Sequence, residues 1–402
     1  MHIMVVTAGK NKGTLSLRMG FVDTSGGKVP MKVSITGIGG KEPFLVAEKE
    51  GLREEAPVQA RNFAEAAALS MEKMLSPQGG IVQSLREIDA MAHRFVHGGE
   101  KFKNHCVVDE PVMDGIRECI PLAPLENPYS LITLEASLEL APGVLHLALF
   151  ETSFHRTLPD YAYVYGIPYE YYVKFGIRRF GFHGMLHHFL ALEAEKFLAR
   201  PAAELRLITC VAGEGASMAA VRGGKSIDTS MGFTPLEGLF MDTRCGDIDP
   251  SIVTFLMEKN GFSYHEIRQV LNEKSGLAGI SGISGNADEL MAAVEEGSYK
   301  AKLALDIFCY RFKKYVGAYI AALGGLDALV VTGDPALASF VGKRCTAGLE
   351  CLGINRDENK EPSDRAPCDM ASPESAVRIF VVPCQEEMAM AREAEKVLES
   401  RA

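Results

Sequence analysis

The sequence predicts an α/β protein built from two copies of one strand-rich unit, and three observations carry that expectation. The chain has 402 residues, more than one hydrophobic core usually organises. Its hydrophobic fraction is 47% and its charged fraction 23%, values of a folded globular chain rather than a disordered or fibrous one. A grammar of several strands followed by alternating helix and strand runs through the first half and recurs in the second.

Short apolar runs at residues 3–7, 15–22, 29–36 and 44–48, separated by Gly, Pro, Asn and Lys, predict an antiparallel meander. A helical pattern over 59–75, a strand at 91–96, helices near 112–119 and 128–140 and an apolar strand at 144–150 follow. The second copy opens with a helix over 185–200, whose Leu186, Phe189, Leu190, Ala194 and Phe197 share one face. A strand at 205–211 and a hairpin turning on Gly223-Gly224 come next. Helices at 250–259 and 264–274, one long helix over 287–323, a strand at 326–332, a helix over 335–352, a strand at 377–382 and a closing helix over 386–400 complete the reading. The proline-rich, charged stretch 355–375 is expected to be a surface loop.

The formal net charge of −10 disfavours wholesale binding to nucleic acid or to an anionic membrane. The longest uncharged apolar stretch, Tyr315 to Leu326, has 12 residues, short of the roughly 20 a membrane helix needs. The start lacks a basic segment followed by an apolar one, so a cytoplasmic location is expected. Nine cysteines without a C-x-x-C pair predict reduced thiols rather than a disulfide framework or a zinc knuckle.

Four segments concentrate glycine with ionisable residues: Ala92-His93-Arg94-Phe95-Val96-His97-Gly98-Gly99, Arg178-Arg179-Phe180-Gly181-Phe182-His183-Gly184, Asp228-Thr229-Ser230-Met231-Gly232-Phe233-Thr234-Pro235 and Thr243-Arg244-Cys245-Gly246-Asp247-Ile248-Asp249-Pro250. In order and spacing they resemble the acetate kinase (acetokinase) family, and the resemblance runs from the first strand to the terminal helix. It implies the fold shared by acetate and sugar kinases, heat-shock cognate ATPases and actin, a ribonuclease H-like α/β fold of two duplicated domains facing a cleft. The expected division is 1–151, completed by the helix 386–402, and 152–385, which would carry the nucleotide-side loops and the surface of a homodimer.

The implied reaction moves the γ-phosphoryl of ATP reversibly onto acetate, with magnesium as cofactor. Catalysis of such a transfer is mostly positioning and electrostatic stabilisation. By match to the family motifs, Arg94 and Arg244 would orient the carboxylate and hold the phosphoryl, a task suited to a planar guanidinium. His183 would hydrogen-bond the phosphoryl in flight, Glu151 stands at the family aspartate, and Glu386 falls on the magnesium-linked glutamate. Val96, Leu125, Phe182 and Pro235 would form the small apolar wall around the substrate methyl. His97, His155, His187 and His188 are read as structural.

Departures from the family cluster on the nucleotide side. Thr7 replaces an asparagine, Gly213-Glu214-Gly215 carries a carboxylate in the phosphate hairpin, Asn286 begins a segment that has lost an arginine, and Asp334-Pro335 replaces a glycine-rich loop. Glu126 stands where the family has histidine. A unit charge roughly 5 Å from a phosphoryl oxygen, at an effective dielectric near 20, is worth about 3 kcal/mol, or above roughly 100-fold in rate. Glu126 and Glu214 therefore predict weak use of ATP or ADP unless a metal, protonation, Lys10 or Lys12 relieves them. Two functions follow: a phosphotransferase acting on a short-chain carboxylate or acyl phosphate, or a non-catalytic homologue that binds acyl phosphate.

Overall fold

The computed structural model describes residues 1–11, 13–77, 79–363 and 365–401. Lys12 lies outside them. Two compact units emerge, Met1–Ser153 with the chain from Gln385 onward, and Phe154–Cys384.

The first unit is built on eight strands: β1 His2–Asn11, β2 Thr14–Asp23, β3 Lys28–Thr36, β4 Phe44–Lys49, β5 Leu52–Pro57, β6 Ala90–Phe95, β7 Cys106–Val107 and β8 Leu145–Phe150. They lie in the order β5-β4-β3-β2-β1-β6-β8-β7. Alternation sets the meander: Leu17, Met19 and Phe21 of β2 and Met31, Val33 and Ile35 of β3 turn inward onto the helix Phe63–Leu75. Asn62 starts that helix, its side chain accepting from the Glu65 amide. By contrast β1, β6 and β8 pair in parallel, and the paired segments Ile3–Val6, Ala90–Phe95 and Leu145–Phe150 are buried almost throughout, as strands covered on both faces are. Strand β5 escaped the periodicity reading because Leu-Arg-Glu-Glu-Ala-Pro is a charged edge, with Arg53 paired to Glu48 and Glu55.

The second unit holds β9 Arg206–Ala212, β10 Ser217–Arg222, β11 Lys225–Thr229, β12 Ala328–Gly333, β13 Cys368–Asp369 and β14 Arg378–Val381, ordered β11-β10-β9-β12-β14-β13. Five of its six described strands, β11-β10-β9-β12-β14, repeat the order and the parallel and antiparallel pairings of β3-β2-β1-β6-β8. The sheet core is therefore duplicated. The predicted hairpin turns on Gly223 and Gly224, both at positive φ, with Arg222 opposite Lys225.

The helix after each copy's third parallel strand packs elsewhere, and one of the two crosses from one unit to the other. Gly184–Leu198 follows β8 in the chain but packs on β9 and β12, whereas Glu386–Glu399 follows β14 and packs on β1, β2, β6 and β8.

Two helices depart from the sequence reading. The stretch 287–323 is broken into Ala287–Glu295 and Tyr299–Leu323 by Gly297 at φ +90, after which the Ser298 side chain caps the second piece. The stretch 335–352 is α-helical only over Pro335–Phe340; it continues as one wider turn, Val341–Cys345, and closes with a tight turn at Glu350–Leu352. Among the described residues no helix is long and apolar enough to cross a membrane.

Candidate active site

In the first unit the chemistry gathers where the parallel strands end, the edge at which open α/β sheets bind ligands. Arg94 comes from β6, and Glu151 directly follows β8, its amide bonded to the Phe95 carbonyl at 3.0 Å. Arg94 Nε donates to Glu151 Oε1 at 2.5 Å, with only 5% of the glutamate side chain exposed. The first turn of the helix Glu386–Glu399 brings Glu386 Oε1 to 3.9 Å from Arg94 Nε. Burial works against the charge of Arg94, but Glu151 and Glu386 outweigh it and Glu126 adds to them, so the guanidinium is held above its ordinary range.

The structure thus brings Arg94, Glu151 and Glu386 together, and places Glu126 as a further anion facing Arg94. Glu126 precedes the helix Asn127–Leu140. Asn127 is fully buried and exchanges two hydrogen bonds with the backbone of His97, at 2.9 and 3.2 Å. This clamp ties the segment of Val96 to that of Leu125; Val96 is buried, whereas Leu125 remains 43% exposed.

A fourth member was missed by sequence reasoning. Arg18, on β2 opposite Thr7, places Nη2 2.8 Å from Glu386 Oε2. The attraction of Glu386 raises its pKa against the cost of burial. Thr7, Arg18, Lys32, Glu386 and Glu387 share the lining of a cavity of about 240 Å³. Nothing local marks Arg18, since its partner lies at the far end of the sequence.

Magnesium fits this donor set. The ion is usually held by one or two carboxylates and completed by water and phosphate oxygens. Glu151 Oε2 is buried without a hydrogen-bond partner, an acceptor left open beside Arg94. Among the described residues no group of three or more His, Cys, Asp and Glu forms a metal cage.

In the second unit His183 and Arg244 converge on Gly215. A Cβ on that glycine would stand 3.1 Å from Arg244 Nη1 and 3.3 Å from His183 Cε1, so a larger residue would make one of the two groups give way by a few tenths of an ångström. Arg244 Nη1 also donates to the Pro235 carbonyl at 3.3 Å, which brings Pro235 to the cluster. His183 holds a left-handed conformation, φ 56, immediately before the helix Gly184–Leu198, an uncommon state for a residue with a side chain. Its Nδ1 meets Ser217 Oγ at 2.9 Å; the same hydroxyl meets His187 Nε2 at 2.8 Å, and His187 Nδ1 meets Thr209 Oγ1 at 2.8 Å. This relay fixes the His183 ring. Phe182 is buried, and its carbonyl accepts from His155 Nε2 at 3.0 Å.

The nucleotide-side candidates also lie in this unit. Gly213 to Gly215 follow β9, and the Asp334 amide donates to Ala212 at 2.7 Å, setting Asp334 beside them. The Asp334 carboxylate is engaged at home, accepting from the Ala336 and Leu337 amides. Asn286 likewise caps Ala287–Glu295, which packs against Pro335–Phe340. Glu214 is exposed, and Lys10 is exposed on β1. Solvent screens a charge at such a site, so the roughly 3 kcal/mol expected of an unrelieved carboxylate does not apply to Glu214.

Buried imidazoles give a pH prediction. Desolvation is the largest influence on His93, His146, His155 and His187 and lowers the pKa of each, that of His155 to about 4. These groups are neutral in the fold, while in the unfolded chain they protonate near pH 6.5. Their contribution is complete above about pH 6.5 and is lost as pH falls toward 4, by up to about 1.4 kcal/mol per group per pH unit. Urea midpoints should drop between pH 7.5 and 5, and the drop should be smaller in His155→Gln; equal slopes in the two proteins would contradict this.

The duplicated sheet core and the paired arginine, histidine and carboxylate groups define the fold class of acetate and sugar kinases. Solved structures agree: the chain is similar to the acetate kinase of Porphyromonas gingivalis with a TM-score of 0.92 and 35% identity over 99% of each chain. A propionate kinase from Francisella tularensis matches with a TM-score of 0.89 and 32% identity over 98% of each. In sequence, an acetate kinase of Caldanaerobacter subterraneus subsp. tengcongensis is 44% identical over 99% of both chains. The profile of the Acetokinase family matches residues 3–392, and the chain belongs to that family.

Proposed function

We propose that the protein is a phosphotransferase that moves a phosphoryl group between a nucleotide and a short-chain carboxylate, with acetate as the acid its relatives' names favour and acetyl phosphate as the acyl phosphate that transfer would form. The observation that carries the reading is the convergence of Arg244 and His183 on Gly215. In the forward direction a carboxylate oxygen attacks the γ-phosphorus while the bond to the β-phosphate bridging oxygen breaks. Charge then spreads over the three equatorial oxygens. Arg244 and His183 are the donors for those oxygens, with His183 held in aim by Ser217 and His187. Arg94, fixed by Glu151, is the guanidinium for the carboxylate. Val96 and Leu125 in the first unit, and Phe182 and Pro235 in the second, are the apolar side chains that the family motifs assign to the substrate methyl, which would disfavour larger acids. Glu386 and Glu151 are the carboxylates that would hold magnesium, which when bound offsets phosphate charge.

Arg18 acts through Glu386 and is a positioning residue. Arg18→Ala is expected to raise the magnesium concentration for half-maximal rate about tenfold, the scale of losing a partner to a metal ligand. Arg18→Lys should recover part of it. An unchanged magnesium dependence in both variants would remove the assignment.

The alternative of a non-catalytic homologue has no observation in its favour at these residues. A homodimer through the second unit belongs to the same reading, and light scattering measures it. The deciding experiment follows acetyl phosphate as its hydroxamate, with magnesium and with ADP, GDP, orthophosphate or water as acceptor. Consumption that depends on ADP supports the proposal; consumption with orthophosphate alone replaces the nucleotide, and none with any acceptor, from folded protein that still binds acetyl phosphate, overturns the reading.

A further inference from the structure

Two cysteines that play no part in the proposed chemistry lie against each other in the second unit. Cys309 stands on the helix Tyr299–Leu323 and Cys345 ends the wide turn Val341–Cys345; their Sγ atoms are 3.1 Å apart. Cys345 is fully buried, while Cys309 is partly open to solvent. One thiol is thus reachable and the other waits directly behind it. By contrast Cys245 and Cys368 turn toward backbone carbonyls.

The surroundings divide the pair in the same sense. The hydrogen bond from Cys345 favours the thiolate of Cys309 over the cost of burial, Lys313 and Arg344 help it, and Asp306 opposes it. Burial pushes Cys345 well up, with Cys309 and Cys210 adding to the effect. An attacking thiolate backed by a protonated partner is the arrangement that reactive cysteine pairs use.

We propose that Cys309 and Cys345 form a site of reversible oxidation whose oxidant is a peroxide. The Cys309 thiolate attacks one peroxide oxygen and the O–O bond breaks, which gives a sulfenic acid and, after uptake of a proton, water. The Cys345 sulfur then displaces the sulfenic hydroxyl, its proton leaving with that hydroxyl as a second water, and the disulfide forms. Two thiols and one hydrogen peroxide become one disulfide and two waters; a dithiol reductant reverses the change. The wide turn is the natural place for the small approach required, because its hydrogen bonds are less regular than those of an α-helix. The bond would tie the segment that follows the Asp334 cap to the long helix.

The full-length protein is treated with hydrogen peroxide, its remaining thiols are alkylated, and it is digested without reduction. The expected result is the loss of two alkylatable thiols and a Cys309–Cys345 linked peptide two hydrogen atoms lighter than its parts, both reversed by dithiothreitol. Cys345→Ser should leave Cys309 as a sulfenic acid that dimedone labels. Unchanged alkylation of both cysteines after peroxide, or linkage of Cys309 only to the exposed Cys351 or Cys384, overturns the proposal.

Discussion

Arg94→Ala is expected to lower kcat/KM for acetyl phosphate by about 10³-fold or more, the scale seen when a preorganised charged donor is lost from a transition state. It should also destabilise the first unit. Glu151 is 5% exposed and takes its 2.5 Å bond from Arg94, and stranding a buried charge costs about 3–5 kcal/mol. Arg94→Lys should restore little, because an ammonium cannot present the guanidinium fork that meets Glu151 while Glu386 lies 3.9 Å away. Lys101→Ala breaks an exposed pair with Glu118 and should change stability by less than about 1 kcal/mol. Activity within tenfold of wild type in Arg94→Ala would exclude the assigned role.

Arg244→Ala should separate function from stability. The guanidinium is half-buried, and its bond to the Pro235 carbonyl is long, at 3.3 Å, so unfolding midpoints should move little. Acetyl phosphate affinity should fall about 100-fold, as expected for a charge-assisted contact worth about 3 kcal/mol. Calorimetry with acetyl phosphate checks this. Unchanged affinity would mean that the convergence on Gly215 is a packing feature.

Legibility in the sequence followed the range of the interaction. Alternating Leu17, Met19 and Phe21 announces a strand half-covered by a helix, and the diglycine at 223–224 announces a tight hairpin, because both signals lie within a few residues. The charged edge β5 and the break at Gly297 were hidden, since an edge strand carries no apolar period and the helical pattern continues on both sides of the break. At the site, Arg94, His183 and Arg244 stood out through family motifs. The contact of Arg18 with Glu386 and the chain of hydroxyls from His183 to Thr209 had no sequence signal, because tertiary packing alone joins those residues.

The late position of the helix Glu386–Glu399 bears on how the chain is made. Glu386–Glu399 covers strands β1, β2, β6 and β8, yet in synthesis it follows every residue of the second unit. While that unit emerges, the earlier strands wait with one face uncovered and Arg94 lacks the Glu386 carboxylate. Domains usually fold as units from the N-terminus during synthesis; here the first to be made is among the last to be finished. A nascent chain stalled before Glu386 would hold a completed second unit and an open first one, so the binding groups of the first unit are assembled only once Glu386–Glu399 has been translated.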